Sequence, residues 1–189
     1  MDPVVALVAA FRVAGSLLVL RWPFWGGVTA VVVDLLDLLL FDLAARYGGW
    51  AGFDGYQAFD KIADQVYLAA FLVVALRDFP PGPRLVAAGL WLFRFIGFVA
   101  FEAGLLPREG LLLVPNVFEL WFLAVAFTLR YRPSFPWTRW RMGVVLAILL
   151  GAKLVQEWAL HVARLFDSTT FLDALAAIWR AVTSPFTGS

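Results

Sequence analysis

Apolar residues fall into six long stretches, covering roughly 3–20, 28–46, 57–76, 85–105, 111–129 and 142–166. None alternates with the period of two that a membrane β-barrel needs. Each approaches the ~20 residues that cross a bilayer as a helix. The breaks between them carry helix-stopping chemistry. Arg21-Trp22-Pro23-Phe24-Trp25-Gly26-Gly27 combines interfacial aromatics with breakers, Gly48, Gly49, Gly52 and Gly55 loosen the next connection, and Asp78-Phe79-Pro80-Pro81-Gly82-Pro83 is the strongest break. Pro107-Arg108-Glu109-Gly110 and the stretch 130–140, rich in arginine, tryptophan and proline, make the last two. Ser168 can cap a final segment, 169–182, which Pro185 ends. That segment is either a seventh crossing or a helix lying in the interface. The pattern therefore predicts an all-α fold: a polytopic membrane bundle of six transmembrane helices, or seven with the last segment.

Polar residues inside the apolar stretches recur. Phe11-Arg12-x-x-Gly15 returns as Phe93-Arg94-x-x-Gly97, and Asp34 and Asp37 return as Asn116 and Glu119, all 82 residues later. In the third stretch of each half the offset grows to 92: Lys61-x-x-Asp64-Gln65-x-x-Leu68 lies over Lys153-x-x-Gln156-Glu157-x-x-Leu160. The longer 130–140 connection absorbs the difference. The chain divides accordingly into a first three-helix repeat (1–79), a second (80–167) and a C-terminal amphipathic or marginal transmembrane helix (168–189). Because three helices is an odd number, the second repeat must enter the membrane upside down. Transporters built on such inverted repeats carry their site near the midplane, where the repeats meet.

Composition agrees with the membrane class: 62 % of the 189 residues are hydrophobic and the mean hydropathy is +0.84, against about 45–50 % apolar in soluble domains. The net charge of +1 comes without any basic tract, so nothing points to nucleic acid. The absence of cysteine excludes disulfides, thiolate metal sites and cysteine nucleophiles. The first apolar stretch lacks the basic leader and small-residue cleavage site of a signal peptide, and is expected to be a mature helix. The connections after helices 1, 3 and 5 hold Arg21, Arg77, Arg84, Arg130, Arg132 and Arg139, with Arg141 following. The opposite connections mix Arg46, Arg108 and Arg164 with Asp54, Glu109 and Asp167. The arginine excess puts the first set in the cytoplasm and the N-terminus outside, in a multi-pass cell-membrane protein.

The intramembrane charges carry the candidate chemistry. A carboxylate at the centre of a membrane helix costs about 2.5–3.5 kcal/mol on insertion scales, so it needs a partner or a wet cavity. Asp34 and Asp37 lie one turn apart on one face. They either form an ion-pair network with Arg12 and Arg94 or hold a cation or proton. Asn116 and Glu119 follow Pro115, whose missing N–H opens the backbone for a binding point. Asp60, Lys61 and Asp64 open helix 3; Asp64 lies deepest. Lys153, Glu157 and His161, spaced by four, form a stripe with Gln156 beside it, either a proton relay or a Lys–Glu pair. Buried carboxylates outnumber buried bases, and such a surplus takes up protons or cations. With oxygen ligands alone, the suitable ions are Mg²⁺, Ca²⁺, Mn²⁺ or monovalent cations.

Part of the chain resembles the CDP-alcohol phosphatidyltransferases, small six-helix membrane enzymes. Asp34-x-x-Asp37, then Ala45-Arg46, then Asp60-x-x-x-Asp64 look like pieces of their signature. Leu38 stands where the family has glycine, about one turn is inserted before Ala45-Arg46, and Gly55 is one place off. The resemblance implies that Asp34, Asp37, Asp60 and Asp64 hold divalent metals on a lipid diphosphate. No hydrolase, zinc-protease or nucleotide-loop motif is present.

The residues thus predict a transporter or channel for a cation or a cation-coupled solute rather than an enzyme. Asp34, Asp37, Asp64, Asn116 and Glu119 form its site. Arg12, Arg94, Lys61, Lys153, Gln156, Glu157 and His161 support or gate it. The alternatives are the lipid-phosphate transferase and a non-catalytic subunit of a membrane complex. Partners beyond the bilayer and the small ion or solute would be a second copy or a complex subunit.

Overall fold

The computed structural model describes residues 3–48, 56–105 and 114–161; the side chains at 35, 37, 38, 42, 45, 56–61 and 157–161 lie outside that description. Among the described residues the chain is helical, with no strand. Six helices follow in order: α1 Pro3–Leu18, α2 Pro23–Gly48, α3 Tyr56–Asp78, α4 Pro81–Glu102, α5 Val117–Tyr131 and α6 Arg139–His161. Within the first half α1, α2 and α3 pack on one another; α5 then packs on α2, α3, α4 and α6.

Helices α3 and α5 make the core, and their sequences say why. Tyr67, Leu68, Phe71, Val74 and Ala75 on α3, and Phe118, Trp121, Phe122, Val125 and Ala126 on α5, repeat at spacings of three and four and are buried. Phe71 stacks on Phe122 with ring centres 4.1 Å apart, and the Trp121 indole donates across to the Pro83 carbonyl at 3.1 Å. The polar residues are arranged the other way round. Arg12, Ser16, Asn116 and Lys153 are buried, while Phe11 and Leu17 on α1, Leu85, Leu92 and Ile96 on α4, and Ile148 and Val155 on α6 face outward. α4 is the one helix among the described residues that meets both the length and the apolarity of a membrane span, and only 11 % of that span is buried. At 16 and 15 residues, α1 and α5 are shorter than the ~20 expected of a crossing.

Several boundaries differ from expectation. Helix α2 starts at Pro23, not at 28. Proline suits a first turn because its missing N–H would be unpaired there anyway. Gly26 and Gly27 are therefore helical. A Cβ on Gly26 would run into the backbone of Leu18 and Val19, so this glycine lets α2 cross the end of α1. Helix α5 starts at Val117, after Pro115 rather than around it. A proline disfavours helix at the residue before it and cannot donate to it. The segment 169–182 lies outside the described residues.

The ends of α1 and α3 meet where Arg77 donates to the Leu20 carbonyl at 3.0 Å. Arg130, at the end of α5, lines the same cavity as Arg21 and Asp78. The connections after α1, α3 and α5 thus gather at one end of the bundle.

The two glycines shared by the halves differ in tightness. A Cβ on Gly15 would lie 3.2 Å from the nearest Val33 carbon, whereas one on Gly97 would meet three carbons of Val114 at 2.5–2.9 Å. Val114 is buried and β-branched on irregular backbone, so it has little room to turn away. Gly97→Ala is expected to destabilise by about 1–3 kcal/mol and Gly15→Ala by clearly less. Unfolding of the purified variants in denaturant checks this; equal effects would contradict the close α4–Val114 approach.

Candidate functional site at the meeting of the two halves

Three residues from three helices make the first cluster. Arg12, on α1, is 4 % exposed and pairs with Asp34 on α2 and, at 2.7 Å, with Asp64 on α3. Ser16, one turn along, donates to the Arg12 carbonyl at 2.6 Å. A buried arginine needs several acceptors, and its planar fork can serve two carboxylates together. The expected pairing of Arg12 with the α2 carboxylates is thus present for Asp34, and Asp64 joins it. The side chains of Asp37, Asp60, Lys61, Glu157 and His161 lie outside the described residues.

The second cluster joins α3 to α5. Glu119 sits in the first turn of α5, where the helix dipole favours a carboxylate. Its Oε2 accepts from the Tyr67 hydroxyl at 2.9 Å and from the Asn116 amide at 3.2 Å. Asn116 stands just before the helix, and its Nδ2 lies 3.5 Å from the Tyr67 oxygen. With the amide oriented to donate to Glu119, the buried Asn116 Oδ1 has no hydrogen-bond partner among the described residues. Arg94, on α4, does not reach a described carboxylate. Its Nη1 donates to the Val114 carbonyl at 2.9 Å, and its buried Nε has no described partner. Pro115 explains the acceptor: it keeps residues 114–116 out of the helix, so the Val114 carbonyl is left for a side chain.

Tyr67 is the residue the sequence reading missed. It lies three positions after Asp64, on the same face of α3, and Asp64, Glu119 and Arg94 are all within electrostatic range of its hydroxyl. One turn of α3 therefore holds Arg12 of the first half through Asp64 and Glu119 of the second half through Tyr67. The spacing Asp64-x-x-Tyr67 was the available signal, but a lone tyrosine in an apolar stretch reads as an aromatic anchor.

Lys153 is buried on α6 and donates to Gln156 on its own helix at 3.1 Å. That is a pairing along one helix, and the structure describes no bond from Lys153 or Gln156 to Glu119.

The halves share one further detail. In each, the Arg-x-x-Gly face of the first helix meets the polar start or middle of the second. Arg12 bonds Asp34 with Gly15 against Val33, and Arg94 bonds the Val114 carbonyl with Gly97 against Val114. At the offset of 82 Val33 and Asp34 align with Pro115 and Asn116, so the Gly97 contact falls one residue from register and the Arg94 contact two.

Of the four aspartates expected to hold a divalent metal, only Asp34 and Asp64 have described side chains. The Arg12 guanidinium bridges these two.

No protein-family model matches this chain, and neither the curated proteins nor the solved structures contain a match.

Proposed function

We propose that the chain is a multi-pass membrane protein whose two three-helix halves, related by an inverted duplication, enclose a transport site for a cation or a cation-coupled solute. The observation that carries this reading is the Tyr67–Glu119 hydrogen bond, beside the Arg12–Asp64 pair on the same turn of α3. It brings the polar residues of both halves to one place inside the bundle. The burial of Arg12 and Lys153, together with the outward-facing apolar side chains of α1, α4 and α6, supports the membrane setting.

Glu119, Asp64 and Arg94 lie within electrostatic range of Tyr67, and Arg12 holds Asp64 together with Asp34, so the described charges of the two clusters are three negative and two positive. One monovalent cation or one proton balances the set. The unpartnered Asn116 Oδ1, next to Glu119, supplies the neutral oxygen a dehydrating cation would need beside a carboxylate. Lys153, Glu157 and His161 would relay or gate from α6. The lipid-phosphate transferase is disfavoured because its metal-binding aspartates would include Asp34 and Asp64, which Arg12 already holds.

The test is flux into proteoliposomes, with dyes for H⁺, Na⁺, K⁺ and Mg²⁺, comparing the parent chain with Tyr67→Phe. The substitution keeps the ring in its aromatic core and removes the hydroxyl bond to a charged partner, which is worth about 1.5–3 kcal/mol. Flux is expected to fall by about tenfold or more. No flux above empty liposomes for any of these ions, or full flux in Tyr67→Phe, would overturn the proposal.

A further inference from the structure

At the end of the bundle where α1, α3 and α5 finish, a cavity of about 390 Å³ opens between the α1–α2 turn and α5. None of its lining residues belongs to the two clusters around Arg12 and Glu119. Its charged lining is Arg21, Arg130 and Asp78; Trp22 and Trp25 form a wall, and Leu129 contributes an apolar surface. Asp78 is already engaged: Arg77 donates to both of its oxygens, at 2.7 and 2.8 Å. That fork holds the Asp78 carboxyl below the usual carboxylate range. Arg21 makes no described side-chain bond, and Arg130 lies 5.7 Å from the centre of the Tyr131 ring without a described carboxylate. Two arginines are thus left facing a cavity whose one acid is neutralised.

The two tryptophans are about half exposed, at 55 % and 53 %. Tryptophan so placed beside arginine marks the level of lipid headgroups, where one end of the ring is wet and the other apolar. Guanidinium forks match phosphate oxygens geometrically, and a volume of this size suits a small polar group rather than a macromolecule. Given the membrane setting proposed above, we infer that this cavity binds the headgroup phosphodiester of an anionic phospholipid from the adjoining leaflet. Arg21 and Arg130 hold the phosphate, Trp22 and Trp25 flank the glycerol region, and the Leu129 side meets the first acyl carbons. By the arginine excess at this end, the leaflet is the cytoplasmic one, which is also the leaflet richest in anionic lipid.

Native mass spectrometry of the full chain, purified in detergent with equal phosphatidylglycerol and phosphatidylcholine, tests this. The parent chain is expected to retain phosphatidylglycerol with a preference of about thirtyfold, the factor two basic residues supply at a membrane surface. Arg21→Gln/Arg130→Gln is expected to lose the preference while keeping its unfolding midpoint. Leu129→Trp, which fills the cavity and leaves both arginines, is expected to lose bound lipid as well. Equal retention of both lipids, or undiminished retention in both variants, would overturn the inference. Displacement of the lipid by millimolar glycerol phosphate would assign the site to a soluble phosphate instead, and so would also overturn it. Lipid retention is read without any flux, so a site that fails here leaves the transport proposal standing. A chain that stays monodisperse without detergent would remove the membrane setting itself.

Discussion

Arg12→Gln is expected to destabilise the folded chain by about 3–5 kcal/mol, the range for removing one partner of a buried ion pair. Arg12 is 4 % exposed and holds two carboxylates from two other helices; Asp34 and Asp64 are themselves only 29 % and 23 % exposed. Glutamine keeps a hydrogen-bonding stem but no charge, so two carboxylates would face each other inside the bundle without the guanidinium that bridges them. The loss is larger than that of a packing contact because the cost is the uncompensated charge, not the missing bond. The neutral triple variant, Arg12→Gln with Asp34→Asn and Asp64→Asn, is therefore expected to recover most of the stability. A cycle of single and combined variants, unfolded in mixed detergent and denaturant, measures the coupling. If the single effects simply add, the three residues do not act as one unit, and the account of α1 as a helix clamped to α2 and α3 fails.

Glu119→Gln is expected to do the reverse: little to stability, nearly everything to transport. The glutamine carbonyl can still accept from Tyr67 or Asn116, and the neighbouring aromatic core is untouched. What disappears is the negative charge that gives the described set its surplus. Charge-assisted bonds are about twice as strong as neutral ones, so cation affinity and flux should fall by about tenfold or more. The measurement is proteoliposome flux beside the unfolding midpoint of the same preparation. The transferase reading makes the opposite forecast, with Glu119→Gln tolerated and Asp60→Asn inactive in a CDP-lipid assay. A Glu119→Gln protein that moves ions normally would remove the second half from the site.

The helices were legible in the sequence because each apolar stretch ends in chemistry that stops helices, as at Asp78-Phe79-Pro80-Pro81, where α3 gives way to α4. Two boundaries were misplaced for identifiable reasons. Gly26 and Gly27 read as breakers in the sequence, but Gly26 is small because α1 lies against it. Pro115 was placed inside a helix that it in fact precedes. The partnership of Arg12 with Asp34 was readable, since few charges were available to pair. That Arg94 turns to a backbone carbonyl was not, because the freed Val114 oxygen exists only once the chain has bent at Pro115. Tyr67 stayed hidden because its meaning depends on Glu119, 52 positions away. Local pattern carries no information on a contact of that kind.

The allegiance of α3 to both halves sets a limit on how its sequence can change in length. Asp64 and Tyr67 each answer to a different helix, and they reach those partners only while three positions separate them. One residue added or removed between them would turn the two side chains apart by about 100°, so that Arg12 would lose its bond to Asp64 or Glu119 its bond to Tyr67. An insertion of the same size in the stretch 132–138, between α5 and α6, carries no such penalty. Length variation in this chain should therefore collect in its connections and spare the single turn of α3 that fastens one half to the other.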